Sequence, residues 1–153
     1  RDVGLGPYDF PHTPKKAAWE FDADAEDWTA MMNVSDITVK EGNLEFYTTS
    51  RDPALVASTP GLRASAYDTL NIRMKMQADS EKVGSGQIFW SIGSSNTSEA
   101  NSVRFELQAD GEFHKYTLNL GEHPRWRGRI NTLRFDPCDL ADTRVMVDYI
   151  FFE

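Results

Sequence analysis

Cysteine is almost missing from this chain: Cys138 is the only one. A lone thiol excludes an internal disulfide and any cysteine-based zinc cluster. Long apolar runs are missing too, since no stretch approaches the ~18 uninterrupted apolar residues of a membrane helix. Positive charge is in deficit, with Lys and Arg together 16 against 24 for Asp and Glu, a net charge of -8. That balance argues against a general nucleic-acid binder, which needs basic groups to neutralise phosphates. Catalytic signatures are also lacking: no Gly-x-Ser-x-Gly elbow, no His-Glu-x-x-His and no Gly-x-x-x-x-Gly-Lys-Ser/Thr phosphate loop. His12, His114 and His123 have no metal-ligand spacing. Cys138 lies in Asp136-Pro137-Cys138-Asp139, where two carboxylates disfavour a reactive thiolate. No repeat of 20–50 residues is present, which argues against propellers and solenoids.

What is there is aromatic and alternating. Four Trp, nine Phe and five Tyr in 153 residues exclude disorder and supply one domain's core. A chain this long buries about two-thirds of its unfolded surface and needs no metal or disulfide merely to fold. The first residue is Arg1, so the expectation is a processed chain or part of a larger one, with any signal peptide gone. Asn33-Val34-Ser35 and Asn96-Thr97-Ser98 form sequons that matter only in a eukaryotic secretory pathway. Residues 1–16, with Gly4, Gly6, Pro7, Pro11 and Pro14, read as an arm or linker that Tyr8 and Phe10 could anchor.

From residue 17 to 153 the pattern is mostly period two. Ile37–Val39 and Leu44–Tyr47 flank a Glu41-Gly42-Asn43 turn as a hairpin. Leu70–Met76 puts Ile72, Met74 and Met76 on one face. Gln87–Ile92 is another run, and Val103–Leu107 leads to an expected turn at Asp110-Gly111. Phe113–Leu120 points Tyr116, Leu118 and Leu120 inward, and Ile130–Phe135 and Val145–Phe152 complete the set. The segment from Trp19 to Met32 could be spaced as a helix, but no partner helix exists, so it reads as strand, loop, strand. The expected fold is all-β, an antiparallel β-sandwich of jelly-roll type.

Two constellations could do chemistry. Asp148 sits inside the last apolar strand, which is costly unless the carboxylate is paired or bound to a cation. If the first and last strands are neighbours, Asp22 or Glu20 could meet Asp148 as hard oxygen ligands for Ca²⁺, with Glu41 and Asn43 of the hairpin turn as further donors. A solvated edge position or a salt bridge to an arginine would satisfy Asp148 equally. The second constellation sets aromatics beside cations: Arg125-Trp126-Arg127, and Trp90 with Arg104 and Arg73. An exposed indole stacks on a sugar ring while guanidiniums clamp hydroxyls or an anionic substituent. A tryptophan in a sandwich can equally be core, and Trp126 a plug at one end.

The motifs Trp19-Glu20-Phe21-Asp22 with Trp28, Glu41-Gly42-Asn43-Leu44, Asp52-Pro53, Ile88-Phe89-Trp90, Val103-Arg104-Phe105-Glu106-Leu107, Asp110-Gly111, His114-Lys115-Tyr116, Trp126-Arg127-Gly128, Leu133-Arg134-Phe135-Asp136-Pro137 and Val147-Asp148-Tyr149-Ile150 follow in order. Together they resemble a group of bacterial β-jelly-roll domains like carbohydrate-binding modules, found as accessory parts of secreted sulfatases and glycoside hydrolases. The likeness covers residues 17–153. It implies a structural Ca²⁺ between the first and last strands, at Asp22 and Asp148. It also makes Trp19, Trp28 and Arg134 look like fold residues.

The leading expectation is therefore a non-catalytic module that holds a larger secreted enzyme on polysaccharide. Its expected partners are a polysaccharide or oligosaccharide, anionic ones included, and a parent catalytic domain in the same chain, with no nucleic acid and no membrane. Its expected location is secreted, periplasmic or at a bacterial cell surface. Two alternatives stand beside it. One is a small jelly-roll polysaccharide lyase using Tyr116 or His114 as base, with Arg73 or Arg104 on a uronate. The other is a structural domain that binds no sugar, whose mark would be Trp90 and Trp126 both buried.

Overall fold

The computed structural model describes residues 17–78, 84–93 and 97–153. The arm expected over residues 1–16, with Tyr8, Phe10 and His12, lies outside the described residues, as does Asn96 of the second sequon.

Eleven strands are described: β1 (Ala18–Trp19), β2 (Thr29–Met32), β3 (Thr38–Lys40), β4 (Asn43–Tyr47), β5 (Ala54–Arg63), β6 (Thr69–Ala78), β7 (Ser85–Ile92), β8 (Ser102–Glu106), β9 (Asp110–Asn119), β10 (Arg129–Asp136) and β11 (Thr143–Phe152). Two short 3-10 turns, Ala64–Ala66 and Glu99–Asn101, are the only helical pieces among the described residues. The strands form two antiparallel sheets. One has six strands, ordered β3-β4-β11-β6-β9 with β1 also paired to β11. The other has five, ordered β2-β5-β10-β7-β8. No helix among the described residues is long and apolar enough to cross a membrane.

Alternation in the sequence becomes the division between core and surface. Ile72, Met74 and Met76 of β6 meet Val145, Val147 and Ile150 of β11 in the core, as do Ile88 and Trp90 of β7 and Leu133 and Phe135 of β10. The intervening residues face away from the core on each sheet. The hairpin at Lys40–Asn43 is a two-residue loop with Glu41 at φ 53 and Gly42 at φ 77, the pair of positive angles that a type I′ turn needs.

Two expectations need correcting. β5 adds a strand that the sequence reading leaves unassigned between Tyr47 and Leu70. Pro60 is accommodated where the β5–β10 register shifts between Ile130 and Thr132, with Thr59 Oγ1 donating to the Ile130 carbonyl at 2.7 Å. Asp110-Gly111 is not a hairpin turn. It opens β9, and β8 and β9 belong to different sheets, so the chain crosses the sandwich there. The strand, loop, strand reading of residues 17–32 holds, as does the adjacency of first and last strands, with Ala18 opposite Phe151 and Trp19 opposite Ile150.

Candidate functional site

The outward residues of β7, β10 and β8 form a lattice on the five-stranded sheet. Arg134 pairs across to Phe89, which pairs to Ser102. In the next row Asp136 pairs to Gln87, which pairs to Arg104. Their chain neighbours Leu133, Phe135, Ile88 and Trp90 point into the core, so strand alternation fixes which side chains reach this face. A groove of about 360 Å³ lies over these rows, closed at its sides by Asp52, by Thr97–Glu99 and by Cys138-Asp139.

The groove is wired by charge-assisted hydrogen bonds. Arg134 donates Nε to Asp136 Oδ1 at 2.8 Å and Nη2 to Asp136 Oδ2 at 2.9 Å. Its guanidinium carbon lies 4.6 Å from the centroid of the Phe89 ring, a cation–π contact. Asp52 Oδ1 approaches the same guanidinium at 3.8 Å. Arg104 Nη2 donates to Glu99 Oε1 at 3.2 Å. Gln87 Nε2 donates to Glu99 Oε2 at 2.6 Å and to Ser102 Oγ at 2.9 Å. Burial pushes the Asp136 carboxyl above the ordinary aspartate range, outweighing the hydrogen bond and charge of Arg134, which pull it down. The same pairing with Asp136 raises Arg134.

Of the residues singled out from the sequence, Arg104 lines this groove. Arg125 and Arg127 are exposed, but Trp126 between them turns inward and is only 7% exposed. Its ring stacks on Phe152 with centroids 5.7 Å apart, and its Nε1 donates to the Tyr67 carbonyl at 2.9 Å. Trp90 is fully buried, meets Trp126 edge-on at 5.2 Å and donates Nε1 to the Arg125 carbonyl at 3.0 Å. The expectation of exposed indole platforms is thus corrected: both rings plug one end of the sandwich, where their N–H groups find backbone carbonyls, and their burial is the mark expected of a structural domain that binds no sugar. Arg73 lies on the outer face of the other sheet, 4.3 Å from the Phe113 centroid, with Nη1 donating to Asp148 Oδ2 at 2.7 Å.

That ion pair answers the cost of Asp148 within β11 through an arginine. The other expected Ca²⁺ donors lie apart: Glu41 and Asn43 sit at the β3–β4 turn, and Glu20 follows β1, where its backbone N–H and that of Phe21 donate to Glu26 Oε2. Asp22 is exposed in a bend after β1. Among the described residues no three His, Cys, Asp or Glu side chains gather as a cation site. As arranged, this set does not fit an ion that takes six to eight oxygens.

The lyase constellation is not assembled either. Tyr116 is buried, its hydroxyl accepts from the Gln108 N–H at 3.1 Å, and burial raises its pKa. Arg73 is on the opposite face of its sheet and Arg104 is on the other sheet. Cys138 is buried, with its thiol pushed up to about 11, chiefly by burial and secondarily by Asp139 and Asp136.

Arg134, Asp136, Gln87 and Phe89 were missed as site residues. Their signal was polar side chains at alternate positions of strands that are otherwise apolar, and Phe89 hid it by reading as core.

No family model matches the chain, and no curated protein does. Solved structures share its fold. A family 11 carbohydrate-binding module of a cellulosomal cellulase from Clostridium thermocellum is 14% identical with a TM-score of 0.58, over 92% of this chain and 95% of that one. A xylan-binding domain from Paenibacillus barcinonensis is 13% identical with a TM-score of 0.57, over 93% and 97%. A low-affinity xylan-binding module from Roseburia intestinalis is 15% identical with a TM-score of 0.52, over 83% and 93%. The fold is a jelly-roll β-sandwich of the kind these modules have.

Proposed function

We propose that this chain is a carbohydrate-binding module, and that the groove over β7, β10 and β8 is where it holds a glycan. The observation that carries the reading is the groove itself: an open channel on a sheet face, lined by fixed donors and acceptors whose positions are set by strand register. Such a lattice suits a hydroxyl-bearing chain, which offers a donor and an acceptor at each hydroxyl. The reading is further supported by structures of the same fold that include modules described as binding xylan or cellulose.

The module would work attached to a catalytic domain of a secreted or cell-surface bacterial enzyme and raise that domain's concentration on its polysaccharide. The test is affinity electrophoresis through gels containing single polysaccharides. Retention of the wild-type chain by at least one of them, reduced at least tenfold by Gln87→Ala with Arg104→Ala, is the expected result. A chain retained by none, or retained equally after the double substitution, overturns the proposal.

A structural Ca²⁺ joining β1 and β11 would require Asp148 to exchange Arg73 for the ion, and the present pairing stands against it.

A further inference from the structure

The groove's charge bears on which glycan it takes. Four carboxylates, Asp52, Glu99, Asp136 and Asp139, face it against two guanidiniums, Arg104 and Arg134. The carboxylates outnumber the guanidiniums, and of the two Arg134 is closed to an anionic substituent while Arg104, 61% exposed, shares its charge with Glu99. Arg134 has Nε and Nη2 committed to both oxygens of Asp136 and one face laid on Phe89. Arg104 is tied to Glu99. Asp139 accepts from the Ser85 N–H at 3.3 Å, and among the described residues the cation near Asp52 is Arg134 at 3.8 Å. The whole chain adds a net charge of -8. A uronate or sulfate chain would therefore meet repulsion on approach and again on contact.

Among the described residues the groove has no ring to stack on: Phe89 is the one aromatic that lines it, is 6% exposed, and has a face under the Arg134 guanidinium. Recognition must then come from hydrogen bonds. Carboxylates accept from sugar hydroxyls, and such charge-assisted bonds are the stronger kind. The Arg134–Asp136 and Glu99–Gln87–Arg104 networks hold these acceptors in place beforehand, so little ordering is left for binding.

We infer that the groove takes an uncharged, hydroxyl-rich glycan, read by hydrogen bonds to its carboxylates and amide rather than by ring stacking, and that it rejects uronate and sulfate polymers. This rests on the glycan-binding reading of the same groove. It runs against an anionic ligand, an idea that depended on the Arg125-Trp126-Arg127 run. Those arginines lie outside the groove and their tryptophan is buried.

The experiment is affinity electrophoresis against xylan, mixed-linkage β-glucan and mannan as uncharged probes, polygalacturonate and dextran sulfate as anionic ones, and chitosan as a cationic one. Each runs at low salt and at about 0.5 M salt, where charge interactions are screened beyond a few ångströms. The expected result is retention on an uncharged gel that changes less than twofold with salt, with no retention on either anionic gel. Glu99→Gln with Asp139→Asn removes two negative charges with little change of shape and should weaken retention on the uncharged gel at least fivefold. Arg127→Ala should leave it unchanged. Salt-sensitive retention on polygalacturonate or dextran sulfate, or stronger retention on chitosan than on any uncharged gel, overturns the inference and leaves a glycan-binding module standing. Retention by no gel overturns the functional reading with it. A loss of retention is credited to the groove only where the variant's unfolding midpoint matches the wild type. If Glu99→Gln with Asp139→Asn is unstable, Arg104→Ala, also at an exposed position, replaces it with the same expected direction.

Discussion

Asp136 lies under opposed influences. Burial raises its carboxyl pKa, Arg134 lowers it, and burial prevails. Its native form therefore takes up a proton at higher pH than the unfolded chain does. Its contribution favours the fold below the unfolded pKa and is lost as pH rises through the folded value. Asp110 behaves oppositely. Its two oxygens lie 2.9 and 3.0 Å from His114 Nε2, whose hydrogen bond holds the carboxyl below its ordinary value. Asp110 thus stabilises above its unfolded pKa, and that is lost as pH falls through the folded one. Carboxyl NMR titration should place Asp136 above and Asp110 below the ordinary ~3.9, with His114→Phe returning Asp110 toward it. Coincident midpoints would contradict both assignments. Cys138 gives a third check. With its thiol near 11 and buried, alkylation at pH 8 should be negligible in the native state and complete in denaturant. The sequence reading had this direction from the flanking carboxylates, whereas burial is the larger cause.

At the scale of elements, the loop from Pro124 to Gly128 shows how local reading divides. Three arginines in five residues signal exposure, and the structure keeps Arg125, Arg127 and Arg129 outside. The same signal misplaces Trp126, because nothing local reveals Phe152 from the far end of the chain waiting to stack on it. Trp126→Ala should cost ~3–5 kcal/mol of unfolding free energy, as large-to-small core changes do, measured by denaturant titration. A loss below about 1 kcal/mol, in the range of surface substitutions, would put the ring back at the surface. β5 escaped notice for a related reason: Pro60 and Gly61 signal a break, but a register shift against β10 absorbs them within one long strand. For Asp148, the salt-bridge alternative is what the structure shows. Melting with and without a chelator should accordingly give the same temperature. A fall of several degrees on chelation, reversed by added Ca²⁺, would show that the ion displaces Arg73.

At the scale of the whole molecule, the sandwich was legible because alternation is a local property that burial on one face imposes. The groove was not, because it arises from the register among β10, β7 and β8, which brings Asp136, Gln87 and Arg104 into one row from three parts of the chain. The resemblance made Arg134 look like a fold residue, although its guanidinium is central to the groove. The account's central claim is that this lattice is the binding surface. The most direct test is an amide NMR titration of the labelled chain with an oligosaccharide of whichever polymer retains it. Shifts should concentrate on Gln87, Phe89, Arg104, Arg134 and Asp136. Shifts confined to Arg125–Arg127 or to the outer face around Arg73 and Phe113, or no shift with any oligosaccharide of the panel, would contradict it.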